Sequence, residues 1–262
     1  AVRTIACLPA LTGQWMEEGG GAIKGNSGYL AFNINALRRP DLLRNKATRT
    51  INMNQIGQAL MEKENPIRSM FVYGSNPALV APNANKVQEG LMREDLFTVV
   101  HDLFLTETAM FADLVLPATS SYETEDFYNS YWHNYVQIQK PVVEKYGESK
   151  SNVELFKLLA AGMGFGDQAF RDSEEDMIRQ ALDFPDNPHL EGITYDSLSR
   201  NQFVKAKMQP MFPGKLPTPS GKIELYSERM KRDGYEPLPT YTPIIKDSDL
   251  PFLFIPAPNH NF

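Results

Sequence analysis

Three short runs carry most of the side chains that could act on a ligand. Gly74-Ser75-Asn76-Pro77 closes the apolar stretch "SMFVY", and His101-Asp102-Leu103-Phe104-Leu105-Thr106 closes "LFTVV". Pro117-Ala118-Thr119-Ser120, running on to Glu123-Thr124-Glu125, closes "DLVL". These are small, hydroxylic or amide residues with one His–Asp pair, suited to giving and taking hydrogen bonds. Bond-breaking sets are missing: there is no GxSxG elbow, no Ser-His-Asp order and no carboxylate pair in an apolar setting. Glu123, Glu125 and Asp126 read as a solvated acidic cluster, and no general base is assigned. Each run also has a plain structural use, as a turn at 74–77, a cap at Asp102 and a helix N-cap at Thr106. Taken as three consecutive strand ends on one rim, they favour a binding site whose reactive atom comes from the ligand.

The elements that must position this rim are legible from periodicity. "QIGQALMEK" reads as a helix, "SMFVYG" as a strand, "NANKVQEGLM" as a helix, "LFTVVH" as a strand, "TETAMFA" as a short helix and "DLVLPA" as a strand. Apolar runs alternating with helices predict a Rossmann-like, doubly wound α/β layer: a mainly parallel sheet with helices on both faces. Ligands of such sheets collect at the carboxyl ends of the strands, beside helix N-termini. Ser151-Asn152-Val153-Glu154 spells a capping box, followed by a helix whose buried face is Leu155, Phe156, Leu158, Leu159 and Met163 and which Gly164 ends. Residues 166–248 are richer in Pro, Asp and Asn, with a second capping box at Ser173–Asp176, and read as an irregular C-terminal extension with short helices. The glycines Gly19, Gly20, Gly21, Gly25 and Gly28 match neither GxGxxG nor a P-loop, so they read as a surface loop.

The 262 residues are enough for one large α/β domain with appendages. A net charge of −6 and a pI near 5.3 exclude a general affinity for nucleic acid or anionic membranes, while leaving room for one anionic cofactor. The single cysteine, Cys7, sits in the apolar run Ile5-Ala6-Cys7-Leu8 and reads as a buried thiol. One cysteine excludes an internal disulfide and any cysteine-rich zinc or iron–sulfur site within these residues. His101, His133, His189 and His260 are scattered without HExxH spacing, so no histidine metal site is expected. No stretch approaches the roughly 20 apolar residues of a membrane span, so no direct membrane insertion is expected. Both ends read as cut, which makes the chain a fragment of a longer protein with a cytoplasmic default location.

Longer strings carry a resemblance. "MFVYGSNPALVAPNANKVQEGL", "FTVVHDLFLTETAMFADLVLPATSSYETED", "GESKSNVELFKLLAAGMGF" and "PTPSGKIELYSE" resemble the successive signatures of molybdopterin oxidoreductases of the dimethyl-sulfoxide reductase group. "LPALTGQWMEEGGG" is similar to the segment that precedes them. The resemblance implies a molybdenum or tungsten enzyme holding bis-molybdopterin guanine dinucleotide. It implies two-electron or oxygen-atom transfer in the full-length protein, with a 4Fe-4S cluster in a preceding portion and an iron–sulfur electron-transfer subunit as partner. The fragment alone is expected to be inactive, because the portion supplying the metal ligand precedes residue 1. The implied division is a cofactor-binding α/β domain at 1–165, the connecting region at 166–248 and the truncated start of a barrel at 249–262, where Asn259, His260 and Asn261 match a turn near the pterin.

Position by position, Gly74, Ser75 and Asn76 match the family loop that approaches the guanosine half. His101 and Asp102 match the pair at which an acidic side chain accepts from guanine N1–H and N2–H, with Thr106 and Thr108 at the following hydroxyl positions. Thr124 stands where several relatives have Lys, and Asn152 where relatives often have Asp. After Glu125 the chain reads "DFYNSYWHNYVQ" in place of a common glycine-rich turn with Arg, which implies a divergent subgroup. A non-catalytic α/β module binding a nucleotide or a protein is the alternative that fold alone leaves open.

Overall fold

The computed structural model describes residues 2–17, 19–22, 25, 30–43, 48–131, 133–208, 216 and 218–241. In chain order its elements are α1 (Val2–Leu11), α2 (Ile34–Arg38), α3 (Ile56–Leu60), β1 (Ser69–Tyr73), α4 (Pro77–Val80), α5 (Ala84–Leu91), β2 (Phe97–Asp102) and β3 (Leu114–Pro117). They continue with β4 (Asp126–Tyr128), β5 (Tyr135–Gln139), α6 (Asn152–Gly162), α7 (Glu174–Leu182), α8 (Tyr195–Asn201), β6 (Phe203–Lys205) and α9 (Glu228–Arg232). Two compact units result, residues 25–208 and residues 1–24 with 209–262. None of the described helices is long and apolar enough to cross a membrane.

In the unit that holds both chain ends, the Arg3 guanidinium of α1 donates to the carbonyls of Leu225 (2.7 Å) and Glu236 (3.3 Å), and to that of Pro237. Cys7 is half-buried on this helix, a correction to the buried thiol expected from its apolar neighbours. The expected barrel start at 249–262, with Asn259, His260 and Asn261, lies outside the described residues.

Within residues 25–208, β1, β2 and β3 form a parallel sheet in that order, with Tyr73 beside His101 and Asp102 beside Pro117. Side chains alternate across a strand. Met70 and Val72 accordingly face two small cores, one around Leu60, Val87, Leu91 and Leu96, the other around Val100 and Ala109. Phe71 and Tyr73 point the other way and meet Phe156 of α6, with ring centroids 5.5 and 5.1 Å apart. Full burial of a side chain such as Leu60 is worth roughly 2 kcal/mol. Close approach of α3 and α5 depends on Gly90, where an added Cβ would overlap Leu60 Cβ.

The fold departs from the expected single, mainly parallel layer. A second three-stranded sheet, antiparallel and ordered β4-β5-β6, stands beside the first, and its strands lie in stretches that alternation did not single out. Leu30, Val136, Ile178, Leu190, Ile193 and Leu198 build its core, so α7, α8 and β6 pack with β5 although they come from the segment read as irregular. The expected short helix at "TETAMFA" is one 3₁₀ turn, Ala109–Phe111. On α6 the capping box at Ser151 forms as expected, but Leu158, Leu159 and Met163 are exposed and only Ala160 is buried. The apolar pattern of that helix identifies a face without identifying what covers it.

Candidate functional site

The turn after β1 is made by Gly74 at φ +57°, a left-handed conformation that glycine adopts at low cost. Asn76 follows, half-buried, with its side chain bonded at both ends. Its Oδ1 accepts from the Thr108 N–H (3.1 Å) and the Thr108 hydroxyl (2.7 Å), while its Nδ2 donates to Glu107 Oε2 (2.7 Å). Thr108, wholly buried, accepts in turn from the Ala78 N–H at 3.0 Å. Asn76 is thus a latch between the loops after β1 and β2. Its donation to Glu107 holds that carboxyl below the usual glutamate range.

His101, one residue before the end of β2, has 1% of its surface exposed. Its Nε2 lies 3.1 Å from the Lys150 carbonyl and its Nδ1 3.1 Å from the Asn152 amide oxygen. The carbonyl can only accept, so Nε2 carries a proton toward it, while Nδ1 meets the side-chain amide of Asn152. Asp102, half-buried, accepts from the Phe104 N–H at 3.3 Å, and Thr106 Oγ1 accepts from the Ala109 N–H at 3.3 Å.

Beyond β3 the chain is held where it returns at Lys150. Thr119 N–H donates to Lys150 O and Lys150 N–H to Pro117 O, both at 3.1 Å, with a parallel bridge between Ala118 and Lys150. Of the expected solvated acidic cluster at this end, Asp126 is exposed and Glu125 half-buried, and Glu123 is the exception. Glu123 is buried, accepting from the Ser120 N–H (2.7 Å), the Ser120 hydroxyl (2.8 Å) and the Tyr146 N–H (2.6 Å). Those bonds, led by the Ser120 N–H, pull its carboxyl below the usual range. Glu125 pairs with Lys140, which also donates to the Tyr195 hydroxyl. Asp126 is exposed as a residue, yet desolvation of its carboxyl pushes that group up.

Gly74, His101, Asp102, Thr124 and Asn152 converge on one cleft of ≈ 410 Å³. Ser75 lines a separate apolar groove, and Asn76 and Thr106 line neither. Lys150 and Ser151 join the cleft on one bank, with Asp126, Phe127 and Tyr128 of β4 and Glu174, Met177 and Ile178 of α7 on the other. Sequence reasoning missed these. For Lys150 no local signal existed, because the strand bridge that brings it to the rim spans a long excursion; Ser151 was read only as a helix cap. Hydroxyls, backbone groups and Lys150 at parallel strand ends supply donors suited to the nucleotide end of a dinucleotide, beside the carboxylates of Asp102, Glu125, Asp126 and Glu174.

A family model of molybdopterin oxidoreductases matches residues 1–161. "Probable oxidoreductase YoaE" of Bacillus subtilis is 67% identical over 262 residues, which is all of this chain and 38% of that protein. The dimethyl sulfoxide/trimethylamine N-oxide reductase of Rhodobacter capsulatus is 27% identical over 257 residues, covering 89% of this chain and 30% of its own length. Among solved structures, acetylene hydratase from Pelobacter acetylenicus superposes with a TM-score of 0.58 at 26% identity, over 82% of this chain and 31% of that one. The chain therefore spans about a third of the length of the relatives it matches. With its strand-end signatures inside the matched stretch, this chain belongs to the molybdopterin oxidoreductase family.

Proposed function

We propose that this chain holds the guanosine end of a molybdopterin guanine dinucleotide within a molybdenum or tungsten oxidoreductase. The carrying observation is the convergence of Gly74, His101, Asp102, Thr124 and Asn152 on one cleft at the carboxyl ends of parallel strands. Gly74 lets the ligand lie against the backbone. Asp102 accepts from a base edge rich in N–H donors, and the side-chain amide of Asn152, set by His101, lines the cleft beside it. Lys150 and Thr124 face the phosphates. Ser75, Asn76 and Thr106 act through the backbone of the same loops. The sheet is read as one part of a Rossmann-like doubly wound layer.

In the full-length protein the metal centre at the far end of the cofactor, one of two such dinucleotides, would supply two-electron or oxygen-atom transfer. The residues described here bind and orient, and supply no proton to that step. The 262-residue chain alone is assigned no turnover. An iron–sulfur cluster and an iron–sulfur partner subunit belong to the same proposal for the longer protein; a partner subunit is in keeping with the F420-dependent formate dehydrogenase subunit alpha of Methanocaldococcus jannaschii, 32% identical over 143 residues, being one subunit of its enzyme. Calorimetric titration of the cofactor-free full-length protein with GDP tests the reading. Asp102→Ala removes a charge-assisted acceptor, worth about 1.5–3 kcal/mol, so affinity should fall roughly 10- to 100-fold. Unchanged affinity would overturn the assignment of the guanosine end.

A further inference from the structure

The charge of the cleft does not match an anionic ligand at first sight. Its walls carry the carboxylates of Asp102, Glu125, Asp126 and Glu174, and among the described residues Lys150 is the one lysine or arginine that lines it. A wall carboxylate without a counter-charge repels a phosphate, most strongly where water is partly excluded. Glu125 differs from the other three: among the described residues it alone forms an ion pair, and its partner stands outside the cleft. That partner is Lys140, the residue after β5, whose ammonium donates to Glu125 Oε1.

Lys140 is held from behind. Its ammonium also donates to the Tyr195 hydroxyl and lies 4.4 Å from the centroid of the Tyr195 ring. Tyr195 opens α8 and is buried, and that burial pushes its phenol up, so the hydroxyl meets the ammonium as a neutral acceptor. The Arg179 guanidinium of α7 sits over the same ring, also at 4.4 Å from the centroid. It is fixed in turn by Glu175 at 2.8 Å and Asp196 at 2.7 Å. The Lys140 side chain is 46% exposed and that of Glu125 19%. A pair this open to water adds little to folding stability. Anchoring a flexible lysine on a buried ring is therefore better explained by where it holds the Glu125 carboxylate than by what it adds to the fold.

We propose that Lys140 is a positioning residue of the cleft: anchored on Tyr195, it fixes and neutralises the Glu125 carboxylate, so that a phosphate-bearing ligand is admitted past an acidic wall. The inference deepens the nucleotide reading of the cleft and rests on it. Lys150 lines the cleft and can meet phosphate directly, whereas Lys140 acts through Glu125.

Calorimetric titration of the cofactor-free full-length protein with GDP and with guanosine tests this, because the two probes share base and sugar and differ in charge. Lys140→Met should weaken GDP binding roughly five- to tenfold and guanosine binding less than about twofold, and the GDP loss should shrink as salt rises from about 0.05 to about 0.5 M. Lys140→Arg should keep the wild-type ratio of the two affinities. Adding Glu125→Gln to Lys140→Met should bring GDP affinity back to within about twofold of wild type, since the neutral amide needs no counter-charge. Equal losses of GDP and guanosine would overturn the proposal by making Lys140 a packing residue. A double variant as weak as Lys140→Met, or unchanged GDP affinity in Lys140→Met, would overturn it as well. The guanosine reading stands on the loss of affinity in Asp102→Ala and the Lys140 proposal on the ratio between the two probes, so either can fail alone.

Discussion

The two sheets of residues 25–208 solve opposite problems. The antiparallel β4-β5-β6 sheet closes its core with its own chain: Leu30, Val136, Ile193 and Leu198 are at most 1% exposed, drawn from positions up to 168 residues apart (198 − 30). The parallel β1-β2-β3 sheet is assembled from one continuous stretch and splits its apolar side chains between two small cores. It leaves Phe97, Leu103, Phe104, Leu105, Met110 and Leu114 exposed. Long-range closure thus produces a self-sufficient half, and local winding produces a half that presents its strand ends and its outer edge. The cleft lies where the two meet, one bank from each.

The sharpest way to break this contrast is to open the closed core. Leu198→Ala should cost about 3 kcal/mol, seen as a lower denaturant midpoint. Amides of β5 should then exchange faster while those of β2 keep their protection; equal loss in both sheets would mean that the halves unfold as one. Asn76→Ala probes the latch on the parallel side. It strands the buried Thr108 N–H and hydroxyl, so the thermal midpoint should fall by the equivalent of about 2 kcal/mol. An unchanged midpoint together with lost GDP binding would make Asn76 a ligand contact. Gly90→Ala tests the local packing of α3 on α5. The overlap with Leu60 should cost roughly 1–3 kcal/mol, partly offset by about 1 kcal/mol of helix propensity.

The smallest expected effect is a pH dependence at the rim. The Glu123 carboxyl is lowered in the folded state, so its contribution is fully present above the ordinary glutamate range. It is lost as pH falls through that range toward the lowered value. Glu123→Gln should flatten the thermal midpoint against pH in this acid window, and a slope unchanged by the substitution would remove Glu123 from the account.

The same contrast explains what could be read from sequence. Strands β1, β2 and β3, helix α5 and the caps at Ser151 and Ser173 are encoded within a few residues of themselves, and periodicity reveals them. β4 and β6 are three residues long, and β6 finds its partner 64 residues after β5 ends (203 − 139), so no local window contains the pairing. Turn composition at Ser75-Asn76-Pro77 announced a special loop. It could not say that Asn76 faces Thr108 while Ser75 faces the outer groove. Likewise, "ETED" resembles any acidic surface run until the Tyr146 N–H comes back to bond Glu123.

The return of the chain at Lys150 bears on how such a cleft can change over generations. Two hydrogen bonds of 3.1 Å pin the excursion that leaves at Thr119, and Asp126, Phe127 and Tyr128 ride on it as one bank. Lengthening a pinned loop adds closure entropy only logarithmically, about 0.6 kcal/mol per doubling. Insertions and aromatic swaps between the pins can therefore reshape one wall while the strand-end wall keeps its geometry. The rim can serve as a fixed mount, and the opposite bank as an exchangeable part.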